Sequence, residues 1–305
     1  MAITKVRVKL NGAWTNLSKN ASTGKWEGNL TAPSTTSANL YGKYYPVTIE
    51  ATNDAGTVKT WETTDTTWGS TLKLVVKETI KPTITIVTPS NGSYITNNKQ
   101  QITFKVIDEA GGSGVNLLSV KLKIDSTAYS YNSTGMAYTE ITNGYQFVYT
   151  PQAALSDGNH MLTVNASDND GNTGEAKTAT VTVDTVPPTL TVEAPAAGLI
   201  TNNSALTVSG NTNDATSSPV TIAITLNSEE QGTVSVGSDG SFSKAITLRE
   251  GTNTFVVTAK DAAGKTSSVT RSVKLDTSIP AITSMTLAPN PVNTSNSVTI
   301  TIEVS

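Results

Sequence analysis

Few side chains in this sequence could do chemistry. The chain of 305 residues has one histidine, His160, and no cysteine. Disulfides and thiolate metal sites are therefore excluded, and a Ser-His-Asp arrangement would have to be built on His160. The adjacent carboxylates Glu229-Glu230 fall in an expected turn and read as solvated, not as a glycosidase acid–base pair. No catalytic residue and no cofactor site is assigned. One segment, Asp168-Asn169-Asp170-Gly171-Asn172, has the oxygen-rich make-up that calcium prefers, with Asp168 and Asp170 as candidate ligands. It lacks the downstream glutamate of an EF-hand, and the parallel segments Asn53-Asp54 and Asp261-Ala262 carry one carboxylate fewer. An ordinary turn is the plainer reading there.

Aromatic side chains are the other candidates. All four tryptophans, Trp14, Trp26, Trp61 and Trp68, lie in the first 79 residues, together with Tyr41, Tyr44 and Tyr45. Exposed, such rings stack on sugars or anchor protein interfaces. The alternative is that one or two fill the core and the others cover edges. Tyr129 and Tyr131 sit in the longest connecting stretch, Ser126 to Gly144. They are candidates for a recognition loop, set against a plain hairpin or strand pair over the core edge.

The elements that position these residues repeat. Three segments share one pattern: Tyr45-Pro-Val47-Thr-Ile49-Glu-Ala51-Thr-Asn53, His160-Met-Leu162-Thr-Val164-Asn-Ala166-Ser-Asp168, and Asn253-Thr-Phe255-Val-Val257-Thr-Ala259-Lys-Asp261. Alternation of this kind is a strand with one buried face. Each closes on Asp or Asn and, three residues later, on Gly56, Gly171 or Gly264, which suits a tight turn. A second alternating run is expected to complete a terminal hairpin each time, at Leu72–Val76, Ala179–Val183 and Val269–Leu275. His160 aligns with Tyr45 and Asn253, at the head of the strand. A polar residue there is expected to bond to backbone, as the tyrosine corner does in immunoglobulin-type sandwiches.

The starts repeat too, in Pro82-Thr-Ile84-Thr-Ile86-Val-Thr-Pro89, Pro188-Thr-Leu190-Thr-Val192-Glu-Ala-Pro195 and Pro280-Ala-Ile282. Proline belongs at a strand's first residue or on an edge. No window carries a helical stripe. The expected fold class is all-β: tandem immunoglobulin-like β-sandwich domains arranged as a rod. The expected divisions are 1–79, 80–185, 186–277 and a partial segment or pair of C-terminal strands over 278–305.

Residues 80–277 resemble the bacterial Ig-like repeats of surface adhesins and carbohydrate-active enzymes. The second module carries this in Asp108-Glu-Ala-Gly-Gly-Ser-Gly114-Val115, Asp157-Gly-Asn-His160 and Ala166-Ser-Asp168. The third is similar to the module attached to glucodextranases, through Leu206-Thr-Val-Ser-Gly210, Asp239-Gly-Ser-Phe-Ser243 and Glu250-Gly-Thr-Asn253. Val6 to Trp14, Gly24-Lys-Trp-Glu27 and the closing Ala288-Pro-Asn-Pro resemble Ig-like structural proteins of phages and prophages of Gram-positive bacteria. That resemblance implies a non-enzymatic virion protein of tail or capsid. Its partners would be other virion proteins, copies of itself and host-surface glycans.

Composition bounds the remainder. Net charge is −3, 36% of residues are hydrophobic and 15% are charged. Lysine and arginine exceed acidic residues only in the first module. That excess could steer docking, but it is too small to argue for nucleic acid. The apolar runs are too short for a membrane-spanning helix. The start runs directly into a strand pattern, so no secretory signal is expected, and release by lysis would place the chain on a virion. A surface-adhesin stalk and accessory modules of a carbohydrate-active enzyme are the alternatives, both extracellular or at the cell surface.

Overall fold

The computed structural model describes residues 1–305, which separate into two compact units, Met1–Thr185 and Val186–Ser305. All regular structure is β apart from two single 3₁₀ turns, Tyr41–Lys43 and Leu117–Ser119.

The first unit opens with a five-stranded sheet. Its order is Ala13–Asn16, Ile3–Leu10, Tyr45–Asn53 and Val58–Trp61, with Lys73–Leu74 also on Tyr45–Asn53. A two-residue ladder, Ser18–Lys19 with Trp26–Glu27, accompanies it. Two further sheets follow. One is Met136–Ile141, Gly144–Tyr149, Ile102–Ile107 and Thr83–Thr88; the other is Thr127–Ser130, Lys121–Ile124, Gly158–Asn165, Lys177–Val183 and Tyr94–Ile95. Alternate residues of these strands point into one core containing Phe104, Val106, Leu122, Phe147, Leu162 and Val164. Phe104 and Phe147, paired across neighbouring strands, stack at 4.8 Å between ring centroids. Each such buried side chain contributes roughly 1.5–3 kcal/mol over leaving it in water.

The second unit repeats the two-layer plan. One sheet is Thr189–Ala194, Ala205–Asn213 and Ser241–Thr247; the other is Ile200–Thr201, Thr266–Leu275, Gly251–Lys260, Thr221–Leu226 and Glu229–Glu230. Val208, Ile224, Phe242, Phe255 and Val257 form its core. Residues Ile282–Ala288 and Thr299–Val304 make a separate two-stranded ladder. Its apolar side chains, Met285, Leu287, Ile300 and Ile302 among them, are all exposed.

The repeated turn has one hydrogen-bond pattern in all three modules. The backbone N–H groups of Asn53, Asp168 and Asp261 donate to the carbonyls of Thr57, Asn172 and Lys265, each at 3.1 Å. The N–H groups of those partners return to the side-chain Oδ1 of the Asp or Asn, each at 2.8 Å. Gly56, Gly171 and Gly264 have positive φ, which a residue without Cβ adopts without strain. One short acceptor side chain and one glycine therefore close this turn in each of the three modules.

Four expectations need correction. The first module's terminal hairpin is not made by Leu72–Val76: Val58–Trp61 pairs Ile49 to Thr52, and only Lys73–Leu74 rejoins, at Tyr45 and Pro46. The cause is local, because Asp65 Oδ1 accepts the N–H groups of Thr67 and Trp68 at 2.9 and 2.8 Å and draws the chain off the ladder. Ser126 to Gly144 supplies two strands, but to different sheets: Thr127–Ser130 pairs Lys121–Ile124, and Met136–Ile141 pairs Gly144–Tyr149. Glu229–Glu230 is a short edge strand following the turn at Asn227 and Ser228. No tryptophan fills the first module's core; Val8, Leu10, Tyr45 and Leu72 do.

Candidate metal centre and aromatic surfaces

Two loops and one connecting segment of the first unit bring carboxylates together. Asp168 opens the repeated turn that follows the strand Gly158–Asn165 and is fully buried. Its Oδ1 accepts N–H bonds from Gly171 and Asn172, and its Oδ2 accepts the Asn172 amide at 2.8 Å. Asp108 follows the strand Ile102–Ile107. Its Oδ2 accepts the N–H of Gly114 at 2.7 Å, closing the loop Glu109–Gly114 around it. A Cβ at Gly112 would stand 2.7 Å from both Asp108 Oδ2 and Glu109 Oε1, so the two carboxylates occupy the space that glycine leaves. Glu78 comes from the segment leaving the first module. Its N–H donates to Asp170 Oδ2 at 3.1 Å, and its Oε1 accepts from Ser113 Oγ at 3.1 Å.

One oxygen from each of Glu78, Asp108 and Asp168 lies within 4.8 Å of the others. At such separations like charges repel by about 4 kcal/mol when the effective dielectric is near 20. The protonation equilibria respond accordingly. Burial and the neighbouring Glu109 push Asp108 up to about 6. Burial and the Asp168 carboxylate raise Glu78. For Asp168, burial acts upward, but hydrogen bonds from Asn172, the Glu78 carboxyl and Gly171 prevail and hold it below the usual carboxylate range. Asp108 Oδ1 and Glu109 Oε2 are buried without any hydrogen-bond partner.

The two expected calcium ligands are thus placed differently. Asp168 joins the carboxylate cluster. Asp170 lies beside it and fixes neighbouring chain: its Oδ2 accepts from Thr36 Oγ1 and the Glu78 N–H. Glu78 and Asp108 went unrecognised as ligand candidates. The acidic, glycine-rich run from Asp108 to Gly114 was the available signal for Asp108. Glu78 carries none.

The tryptophans do not converge on one site. Trp14 lies on one edge strand of the first sheet and Trp61 on the other. Arg7 Cζ sits 4.3 Å above the Trp14 ring while its Nε pairs with Glu50 at 2.6 Å. Trp61 and Trp68 do meet: with Ile49, Thr71 and Leu72 they line an open cavity of about 300 Å³. Trp68 is 56% exposed. Trp26 stands apart, on the two-residue ladder opposite Lys19. Tyr129 packs 4.4 Å from the buried Tyr149, and Tyr131 packs edge-on to Tyr138. Both are half-buried over the second core.

Both ring nitrogens of His160 are committed. Nδ1 lies 2.8 Å from Asp125 Oδ2, and Nε2 lies 2.8 Å from the Ser156 carbonyl. Tyr45 OH donates to the Thr35 carbonyl at 3.1 Å, and Asn253 Nδ2 donates to the carbonyls of Arg249 and Gly251. All three are buried corner residues that tie a strand head to backbone.

Comparison with known proteins finds the following similarities. Residues 90–185 match the family described as bacterial Ig-like domain, and residues 188–277 match glucodextranase, domain B. Bacillopeptidase F of Bacillus subtilis (strain 168) is 29% identical over 191 residues, covering 63% of this chain; the chain spans only 11% of that protein. Among solved structures, the fibronectin(III)-like modules of Clostridium thermocellum CbhA align at 16% identity and a TM-score of 0.38, over 64% of this chain and 94% of theirs. Sidekick-1 immunoglobulin domains 1–5 align at 16% and 0.43, over 98% of this chain and 59% of that one. The chain is an all-β protein of tandem sandwiches, and it contains a bacterial Ig-like domain.

Proposed function

We propose that the chain is a non-catalytic structural protein of a virion, attached to the tail or capsid of a phage infecting a Gram-positive host. The first module docks on the particle or on a second copy. The following modules present surface that touches host glycans weakly, with multiple copies supplying avidity. The observation that carries the docking role is the first module's surface: Trp14 and Trp68 are exposed, basic groups lie beside Trp14 and Trp61, and no indole is spent on the core. Aromatic and arginine side chains of this kind dominate the energetics of protein interfaces. Immunogold electron microscopy on phage particles from the source culture, using antibody against this chain, tests it. Label on tails or capsids is expected. Particles without label and label on cells would refute it.

A second reading has its own support. The 191-residue match to bacillopeptidase F, of which the chain spans 11%, favours accessory modules of a longer protein. On that reading the full-length gene carries a catalytic domain or surface anchor, and the chain binds isolated cell walls saturably.

A further inference from the structure

We infer that Glu78, Asp108 and Asp168 hold one calcium ion, which fastens the segment leaving the first module to two loops of the second. This goes beyond the proposed function and does not depend on it.

The geometry carries the assignment. One oxygen from each of these three side chains lies within 4.8 Å of the other two. Oxygens so spaced can share one ion at the 2.3–2.6 Å or so typical of calcium. Asp108 is 3% exposed, and its Oδ1 is buried with no hydrogen-bond partner. Glu109 Oε2, on the adjoining residue, is in the same condition. A buried carboxylate oxygen without a donor is costly, and a cation satisfies it. No lysine or arginine forms an ion pair with any of these carboxylates; the nearby Lys77 Nζ donates instead to the Asp170 backbone carbonyl at 3.0 Å. Every ligand is a hard oxygen and the cluster is irregular. This suits calcium, which takes six to eight such ligands flexibly, better than magnesium, which demands a near-ideal octahedron. An open cavity of about 360 Å³, lined by Asp108, Glu109 and Asn169 among others, brings solvent to the Asp108 side of the cluster.

The ligands also explain what the ion would do. Asn172 Nδ2 donates to the Glu78 carbonyl at 3.1 Å, and Asn39 Nδ2 donates to the Gly112 carbonyl at 2.5 Å. The ion would add a charged link to contacts that already join the first module to these loops.

The test uses the full chain, stripped with chelator and titrated with Ca²⁺ by calorimetry. The comparison is the double variant Glu78→Gln/Asp108→Asn, with near-ultraviolet circular dichroism to establish that it is folded. The variant should bind one equivalent of Ca²⁺ fewer, and Ca²⁺ should raise its melting temperature less than it raises that of the parent. Should the double variant fail to fold, Asp108→Asn alone is measured in the same way. Equal stoichiometry in parent and folded variant, or no Ca²⁺ heat in the parent, overturns the inference. Displacement by Mg²⁺ on equal terms overturns the choice of calcium.

Discussion

Replacing His160 by asparagine should flatten the pH dependence of the second module's stability. In the fold, Nδ1 faces Asp125 Oδ2 and Nε2 faces the Ser156 carbonyl, both at 2.8 Å and both acceptors. Only the imidazolium has a proton for each. Burial acts to lower its pKa, but the Ser156 carbonyl and the Asp125 carboxylate prevail and raise it. The folded ring therefore holds its proton more tightly than the unfolded one. The stabilisation is complete below the unfolded value of about 6.5 and is lost as pH climbs through the higher folded value. Loss of the proton leaves a lone pair against one acceptor, at a cost of about 1–3 kcal/mol. For a module of this size that is roughly 4–8 °C in Tm per kcal/mol. Asparagine occupies the matching corner in the third module as Asn253, donating through Nδ2 to backbone carbonyls, and it carries no proton that titrates here. Asp108, raised from 3.8 to about 6, has the same sign, but its loss falls between those values, below the histidine's window, and it is present in both proteins. Calorimetric melts of parent and His160→Asn at a series of pH values from 5 to 8.5 isolate the histidine. The parent should lose more Tm than the variant across that series. Identical pH profiles would refute the assignment of a doubly donating ring.

Other substitutions probe other parts of the molecule. Phe104→Ala removes one ring of the stacked pair at the second module's centre and should cost about 3–5 kcal/mol, measured by denaturant unfolding. Asp168→Ala strips the acceptor from two backbone N–H groups and the Asn172 amide; a loss of roughly 1–3 kcal/mol is expected in chelator, and no loss would mean that the turn closes without it. Trp68→Ala should change stability by no more than about 0.5 kcal/mol, because the ring is 56% exposed. The same variant should weaken attachment in a particle-binding assay, and unchanged attachment would remove Trp68 from the docking surface.

Local chemistry made much of the fold legible in the sequence. The alternation ending at Asn53, Asp168 and Asp261 reports a strand with one dry face, because neighbouring side chains of a strand point to opposite sides. The Asp/Asn and glycine after it report the turn, because both requirements, an acceptor for orphaned N–H groups and a positive φ, are met within five residues of chain. The buried corner at Tyr45, His160 and Asn253 followed from their shared place in the repeat, although the three side chains reach different partners.

What lay outside that reach depended on distance along the chain or on competition between surfaces. Tryptophan composition says nothing about which ring meets solvent; Val8, Leu10, Tyr45 and Leu72 took the first core, and the indoles went to edges and to the departure loop at Asp65. The strand after Asn53 looked as though it lay at Leu72–Val76, because a short side-chain-capped excursion leaves no mark on hydrophobic period. The carboxylate cluster was the least visible. Glu78, Asp108 and Asp168 belong to three separate segments, and only the packing of the first module's exit against two loops sets their oxygens within 4.8 Å. Periodicity and turn chemistry are properties of a few consecutive residues, so the sequence by itself determined the strands, their faces and their turns. Charge proximity and burial are properties of the packed chain, and the tertiary structure alone decided them.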